Sequence, residues 1–206
     1  AARLAGWHAW FVAGGIDAQG NQTHGLATFS RWPARRVKSS PDTPHRALAV
    51  ILDIPDRPPV VVYNHYGDPR CGATRDEQVL QIVADMSTRR EESVIVGDFN
   101  QTPDEFTITD LVIKGIVEEV DLALGNVDDR ARPTRRTQLK DGTVREGRHI
   151  DYAIATPGMR WTRRAQYTTS SDHDLVAYEI WMAKRPPVYR RMKPANLARK
   201  EPGEDP

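Results

Sequence analysis

The apolar positions of the chain fall into short runs of period two or unbroken blocks, interrupted by two stretches with helical spacing. His24–Trp32 (H-G-L-A-T-F-S-R-W) alternates and stops at Pro33, which predicts a strand. Arg46–Ile54 and Pro59–Tyr66 predict two more, split by P-D-R-P-P with its prolines at the rim. Thr74–Arg90 predicts a helix: Val79, Ile82, Val83 and Met86 make one apolar stripe, and Asp76, Glu77, Arg89 and Arg90 suit the macrodipole. Val94–Pro103 (V-I-V-G-D-F-N-Q-T-P) predicts a buried strand that stops at a loop. Asp104–Lys114 predicts a short helix with Phe106, Leu111 and Val112 inward, and Ile116–Leu124 an extended segment. His149–Ala155, Met159–Thr168 and Asp174–Met182 predict the last three strands.

Between these elements lie less regular stretches. Leu4, Trp7, Trp10 and Phe11 have loosely helical spacing and predict a helix end leading into a strand; Gly14–Asn21 is a polar loop. Arg35–Arg46 is a basic connection punctuated by proline. Asn126–Gly147 is polar, with Asp141-Gly142 as a hairpin turn. Strands interleaved with two helices imply an α+β or layered α/β/β/α domain over residues 1–182. Residues 183–206 are a basic, proline-rich tail or linker, with a further domain expected beyond it.

Composition narrows the picture. A chain of 206 residues, 39% hydrophobic and 28% charged, can bury a core and is not of the disordered class. No apolar stretch has the roughly 18 residues of a membrane span. The lone Cys71 excludes an internal disulfide and a cysteine-based zinc site, and fits a reducing, intracellular compartment, the nucleus included. The N-terminus is weakly apolar but carries Arg3 and His8 and no initiator Met, so the chain is expected to be the interior of a longer protein.

The candidate chemistry sits where strands end. Asp98 and Asn100, two apart, project to the same side as the Val94 strand leaves its sheet. Asn64-His65-Tyr66 closes the Pro59 strand, Asp151 lies inside the His149 strand, and Ser171-Asp172-His173 precedes the last one. Asp151 between Ile150 and Tyr152 requires a partner, because an unpaired inward carboxylate costs several kcal/mol, by rough estimate.

G-D-F-N, then I-D-Y about fifty residues on, then S-D-H about twenty later, resembles the endonuclease/exonuclease/phosphatase superfamily, whose fold is that of DNase I. The resemblance runs from about Leu4 to Met182. It implies a four-layer α/β/β/α sandwich of two mixed sheets flanked by helices, with the site at one end, and hydrolysis of phosphate esters with Mg²⁺ or Mn²⁺ as cofactor. In that scheme Asp98 orients or deprotonates the attacking water and Asn100 holds it or a phosphoryl oxygen. Asp172, with Asp98, provides hard oxygen ligands for the metal. His173 binds a phosphate oxygen as a cation, with Asp151 holding its ring. Asn64 and Tyr66 fill an N-x-His or N-x-Tyr slot, and His65, one place off, ranks second to Tyr66.

The chain departs from the family pattern at its start. Members carry an Asn on the first strand and a metal-binding Glu before the glycine-led strand; here no Glu precedes Glu77 and the first Asn is Asn21. The domain is therefore expected to be N-terminally incomplete, and to hold Mg²⁺ weakly without that Glu. Tyr66 and the basic cluster of Arg130, Arg132, Arg135, Arg136, Lys140, Arg145 and Arg148 favour a nucleic-acid endonuclease of retroelement or abasic-site type, acting on DNA. Arg135, Arg136, Arg148 and Arg31 are the expected nucleic-acid contacts. The alternatives are a phosphatase or phospholipase of the same fold, and an inactive relic that binds nucleic acid or protein.

Overall fold

The computed structural model describes residues 6–14, 25–37, 47–125, 132–138, 143–145 and 147–181. The tail beyond Trp181, Leu4, the Asp141-Gly142 turn, Arg130 and Lys140 lie outside the described residues. A six-stranded mixed sheet forms the centre. Its strands are β3 (Ala34–Arg36), β4 (Ala47–Leu52), β5 (Val60–Tyr66), β6 (Glu92–Asp98), β7 (Glu118–Glu119) and β10 (Asp151–Ala155), in the order β3-β4-β5-β6-β10-β7. Only β5 and β6 run parallel, joined by the crossover helix α1 (Gly72–Thr88), as a parallel pair requires.

Alternation assigns the two faces. Odd positions of β5 and β6 (Val61, Tyr63, Ile95) and even ones of β10 (Tyr152, Ile154) pack under α1, through Val79, Ile82, Val83 and Met86. Ile108 and Leu111 of α2 (Phe106–Ile113) complete that core. The stripe anticipated for α1 is therefore the buried one. Val60, Val62, Val94, Val96, Ala153 and Ala155 form the opposite face, packed against Trp161 and Tyr178. These belong to the antiparallel pair β11 (Arg160–Tyr167) and β12 (Leu175–Trp181). A second antiparallel pair, β1 (His8–Ala13) with β2 (Gly25–Ser30), lies beside it over β4 and β5; Asn64 Nδ2 donates to the Ala27 carbonyl at 2.9 Å. The result is an α+β sandwich of the kind the resemblance implies, with the second β layer made of two hairpins among the described residues.

Several local expectations are corrected. The strand expected after the helix end already begins at His8 and takes in Trp10 and Phe11, because β1 pairs along its whole length with β2. Within the supposed connection after Pro33, Ala34–Arg36 pair with Val50–Leu52 as an edge strand. The extended segment expected over Ile116–Leu124 breaks after two strand residues into α3 (Val120–Ala123). The Glu119 carboxylate causes that break, accepting the N–H groups of Asp121 (3.1 Å) and Leu122 (2.9 Å) as an N-cap. The first turn of α1 holds no acid and its last turn no base; Arg89 instead binds Asp85 (2.7 Å) and the Tyr63 hydroxyl (2.7 Å). On either side of residues 139–142, β8 (Thr137–Gln138) pairs antiparallel with β9 (Val144–Arg145).

Candidate active site

Strand register brings the motif residues together. Asp98 is the last residue of β6; Asp151, the first of β10, stands opposite it, and Tyr66, the last of β5, is its partner on the other side. All three share the face directed at the hairpin layer, because Tyr66, Asp98 and Asp151 alternate in phase with Val62, Val96 and Ala153. Asn64 shares that face too, but its amide fastens β5 to β2. His65 points the other way. It is buried at 1% exposure, edge-on to Phe99 with ring centroids 5.2 Å apart.

After Asp98 the chain turns sharply. Asn100 takes a positive φ of 52°, a conformation Asn tolerates better than most residues. Its N–H donates to Asp98 Oδ1 (2.8 Å), and its amide donates to the Gly67 carbonyl (3.0 Å) and to Asp98 Oδ2 (3.3 Å). Asn100 thereby aims the Asp98 carboxylate and ties the β5 and β6 ends together.

His173 enters from the loop before β12, and its Nδ1–H donates to Asp151 Oδ2 at 2.8 Å. That bond and the nearby carboxylates of Asp151, Asp98 and Asp172 raise the His173 pKa despite partial burial. The Asp98 pKa is raised as well, chiefly by burial and then by the Asp151 charge, while the Asn100 N–H and His173 oppose the shift. Asp98, Asp151 and His173 each offer a ligand atom within 4.8 Å of the others. Two facing carboxylates with an imidazole suit a hard divalent cation, and the strain of placing both charges together is the kind a cation relieves. Asp172, expected as a metal ligand, lies outside this close group. Its side chain is 60% exposed, 3.9 Å from Arg135 Nε and 4.0 Å from His173 Nε2.

Of the four arginines expected at nucleic acid, Arg135 and Arg148 are exposed beside the cluster: Arg135 bridges to His173, and Arg148 pairs with Glu105. Arg136 turns inward to Asp174 at 2.6 Å. Arg31 sits on the β1–β2 hairpin with its guanidinium 4.9 Å from the centroid of the Trp7 ring.

Sequence reasoning missed Thr134. Fully buried, its hydroxyl donates to Asp151 Oδ2 (2.8 Å) and accepts the N–H groups of Ile150 (3.0 Å) and Asp151 (2.9 Å). A lone Thr after Pro133 in an Arg-rich stretch carries no periodic signal. Thr134→Val keeps the volume and orphans both N–H groups. It should destabilise the fold by about 1–3 kcal/mol and slow catalysis; urea denaturation checks the first, and an unchanged midpoint would mean that water replaces the hydroxyl.

A β sandwich gathers a His–Asp pair, a second carboxylate and an asparagine at its strand ends, groups able to hold a proton, a cation and a phosphoryl oxygen. Residues 1–173 match the Endonuclease/Exonuclease/phosphatase family, and the chain belongs to it. No curated protein matches the chain. Among solved structures, a functionally unknown conserved protein from Enterococcus faecalis V583 is 18% identical, with a TM-score of 0.61 over 86% of this chain and 77% of its own. The 3′ phosphatase NExo from Neisseria, bound to a product DNA hairpin, is 18% identical at a TM-score of 0.61, covering 85% of this chain and 79% of its own. An AP endonuclease from Archaeoglobus fulgidus is 16% identical at a TM-score of 0.61, with coverage of 85% and 79%. At such identities these likenesses establish the fold, and members of the family are hydrolytic enzymes, generally dependent on divalent metal.

Proposed function

We propose that the protein is a Mg²⁺- or Mn²⁺-dependent phosphodiesterase acting on nucleic acid, DNA foremost, as an endonuclease of retroelement or abasic-site type. The observation that carries this reading is the His173–Asp151 pair set beside Asp98. Asp98 accepts the proton of the attacking water, its carboxylate aimed by the N–H and the amide of Asn100. As water adds to phosphorus and the bond to the leaving oxygen breaks, negative charge builds on the non-bridging oxygens. Imidazolium at His173, held by Asp151, meets that charge. Tyr66, half-buried at the end of β5, contacts the phosphate or the leaving group. Asp98 and Asp151 would hold the cation, with Asp172 within reach from the rim. When bound, the cation lowers the pKa of water and draws charge from the phosphoryl oxygens.

The choice of nucleic acid rests on Arg135 and Arg148, exposed guanidinium groups that stand beside Asp172 and Glu105 and can exchange those carboxylates for phosphate. The DNA-processing neighbours are consistent with it. The test is metal-dependent cleavage of plasmid and abasic duplex DNA, set against a small phosphate monoester. Turnover of the monoester alone would overturn the nucleic-acid reading in favour of a phosphatase. Arg135→Ala combined with Arg148→Ala should weaken duplex binding and reduce the slope of log K against log salt by about 1 to 2. Equal slopes in wild type and double variant would remove the basic rim from the substrate site.

A further inference from the structure

Asp174 follows His173 and faces the other way, into the molecule, with 5% of its side chain exposed. Both carboxylate oxygens accept: Oδ1 from Arg136 Nη2 at 2.6 Å, and Oδ2 from Gln166 Nε2 at 2.8 Å. Gln166 Nε2 also donates to the Pro133 carbonyl (2.8 Å), and its Oε1 accepts from Arg164 Nη2 (2.9 Å). The backbone joins the same two segments, with Arg136 N–H donating to the Asp172 carbonyl and Asp174 N–H to the Thr134 carbonyl, each at 2.7 Å. Residues 132–136 and 168–174 belong to no named strand, so few ladder bonds hold them. Yet Asp151 Oδ2 takes one hydrogen bond from each, from Thr134 Oγ1 and from His173 Nδ1.

Resting on the phosphodiesterase reading, we infer that Asp174 is a positioning residue, which fixes His173 against Asp151 by clamping residues 134–136 to residues 172–174 through Arg136 and Gln166. The clamp needs a carboxylate. An amide in its place accepts on one atom only and turns N–H groups toward a donor. Gln166 cannot reverse to accommodate it, because its oxygen is committed to Arg164 and its nitrogen to Pro133. Once the clamp loosens, the imidazole is free to drift, and a displacement of about 1 Å is enough to cost about a hundredfold in rate. Substrate binding also draws on Arg148 and Tyr66, which lie outside both segments, so KM changes less than kcat.

The experiment compares wild type, Asp174→Asn, and Asp174→Asn combined with Gln166→Glu in the intact protein. The last pairing supplies the new amide with a carboxylate acceptor and keeps an oxygen for Arg164, but gives up the bond to the Pro133 carbonyl, so the rescue is partial. For each variant, kcat and KM are measured on a duplex oligonucleotide with Mg²⁺, together with melting temperature and amide hydrogen exchange at Arg136 and Asp174. Asp174→Asn should lower kcat about 10- to 100-fold with KM within about twofold, speed exchange at both amides, and lower the melting temperature while leaving the protein folded. The second substitution should recover part of kcat. Unchanged kcat in Asp174→Asn, or an effect on KM alone, would overturn the inference. If Asp174→Asn does not fold, Gln166→Ala removes one of the two donors while leaving the Arg136 pair, and the same outcomes apply to it. A wild-type protein inactive on every phosphodiester would overturn the enzymatic reading separately. In that case faster exchange at Arg136 and Asp174 in the variant still supports the clamp, and unchanged exchange overturns it.

Discussion

Replacing His173 or Asp98 by alanine should lower the cleavage rate by three orders of magnitude or more, on the order of what catalytic groups of this kind contribute, with little change in melting temperature. His173 lies in a loop and donates its one ring hydrogen bond to Asp151, so its loss opens no core cavity. Asp98 is disfavoured as an anion where it stands, burial and the Asp151 charge both raising its pKa. Removing such a group relieves that penalty, which offsets the loss of the Asn100 N–H bond it accepts. The pH profile supplies an independent check. His173 has a raised pKa, first through its bond to Asp151, so its cation persists to higher pH than an ordinary imidazole. The alkaline limb of kcat should therefore move to lower pH in Asp151→Asn. By linkage, this proton contributes stability that is fully present below the unfolded-state pKa of about 6.5 and is lost as pH rises through the higher folded value. An Asp151→Asn profile that superimposes on that of wild type would detach His173 from catalysis.

What could be read from the sequence was what strand alternation and spacing encode. Asp98, Asp151 and Tyr66 end or begin strands whose apolar partners set the phase, so their shared face was legible once the strands were. The stripe of α1 was legible for the same reason. The choice of Tyr66 over His65 came from the family's N-x-Tyr slot, and strand parity sets Tyr66 on the face of Asp98 and His65 on the other.

The rest depended on contacts that spacing does not report. Thr134 reaches Asp151 across seventeen positions, and Asp174 meets Arg136 across thirty-eight. Arg136 is indistinguishable by type from Arg135, yet one neutralises an interior carboxylate while the other stays at the rim. Glu119 lies in a run that reads as strand until its side chain caps the next turn. Asp172 sits in the motif, but Asp151 stands closer to Asp98 because the β6–β10 register pairs them directly.

Gly97→Ala should destabilise the protein by about 2 to 6 kcal/mol, combining backbone strain with overpacking. Two features act together there. Gly97 has φ of +138°, which side-chain-bearing residues rarely adopt, and a Cβ built on it would stand 2.1 Å from the His65 carbonyl oxygen. That oxygen belongs to β5, hydrogen-bonded beside β6, so no flexible side chain can swing aside to make room. Relief requires the two central strands to part just where Tyr66 and Asp98 are held in register. Activity should fall along with stability, unlike in the His173 and Asp98 variants, where the two separate. Urea denaturation with a parallel rate measurement distinguishes the cases. A Gly97→Ala protein with a wild-type midpoint would mean that β5 and β6 can spread without cost, and that the glycine of the G-D-F-N stretch is not what sets their spacing beneath the site.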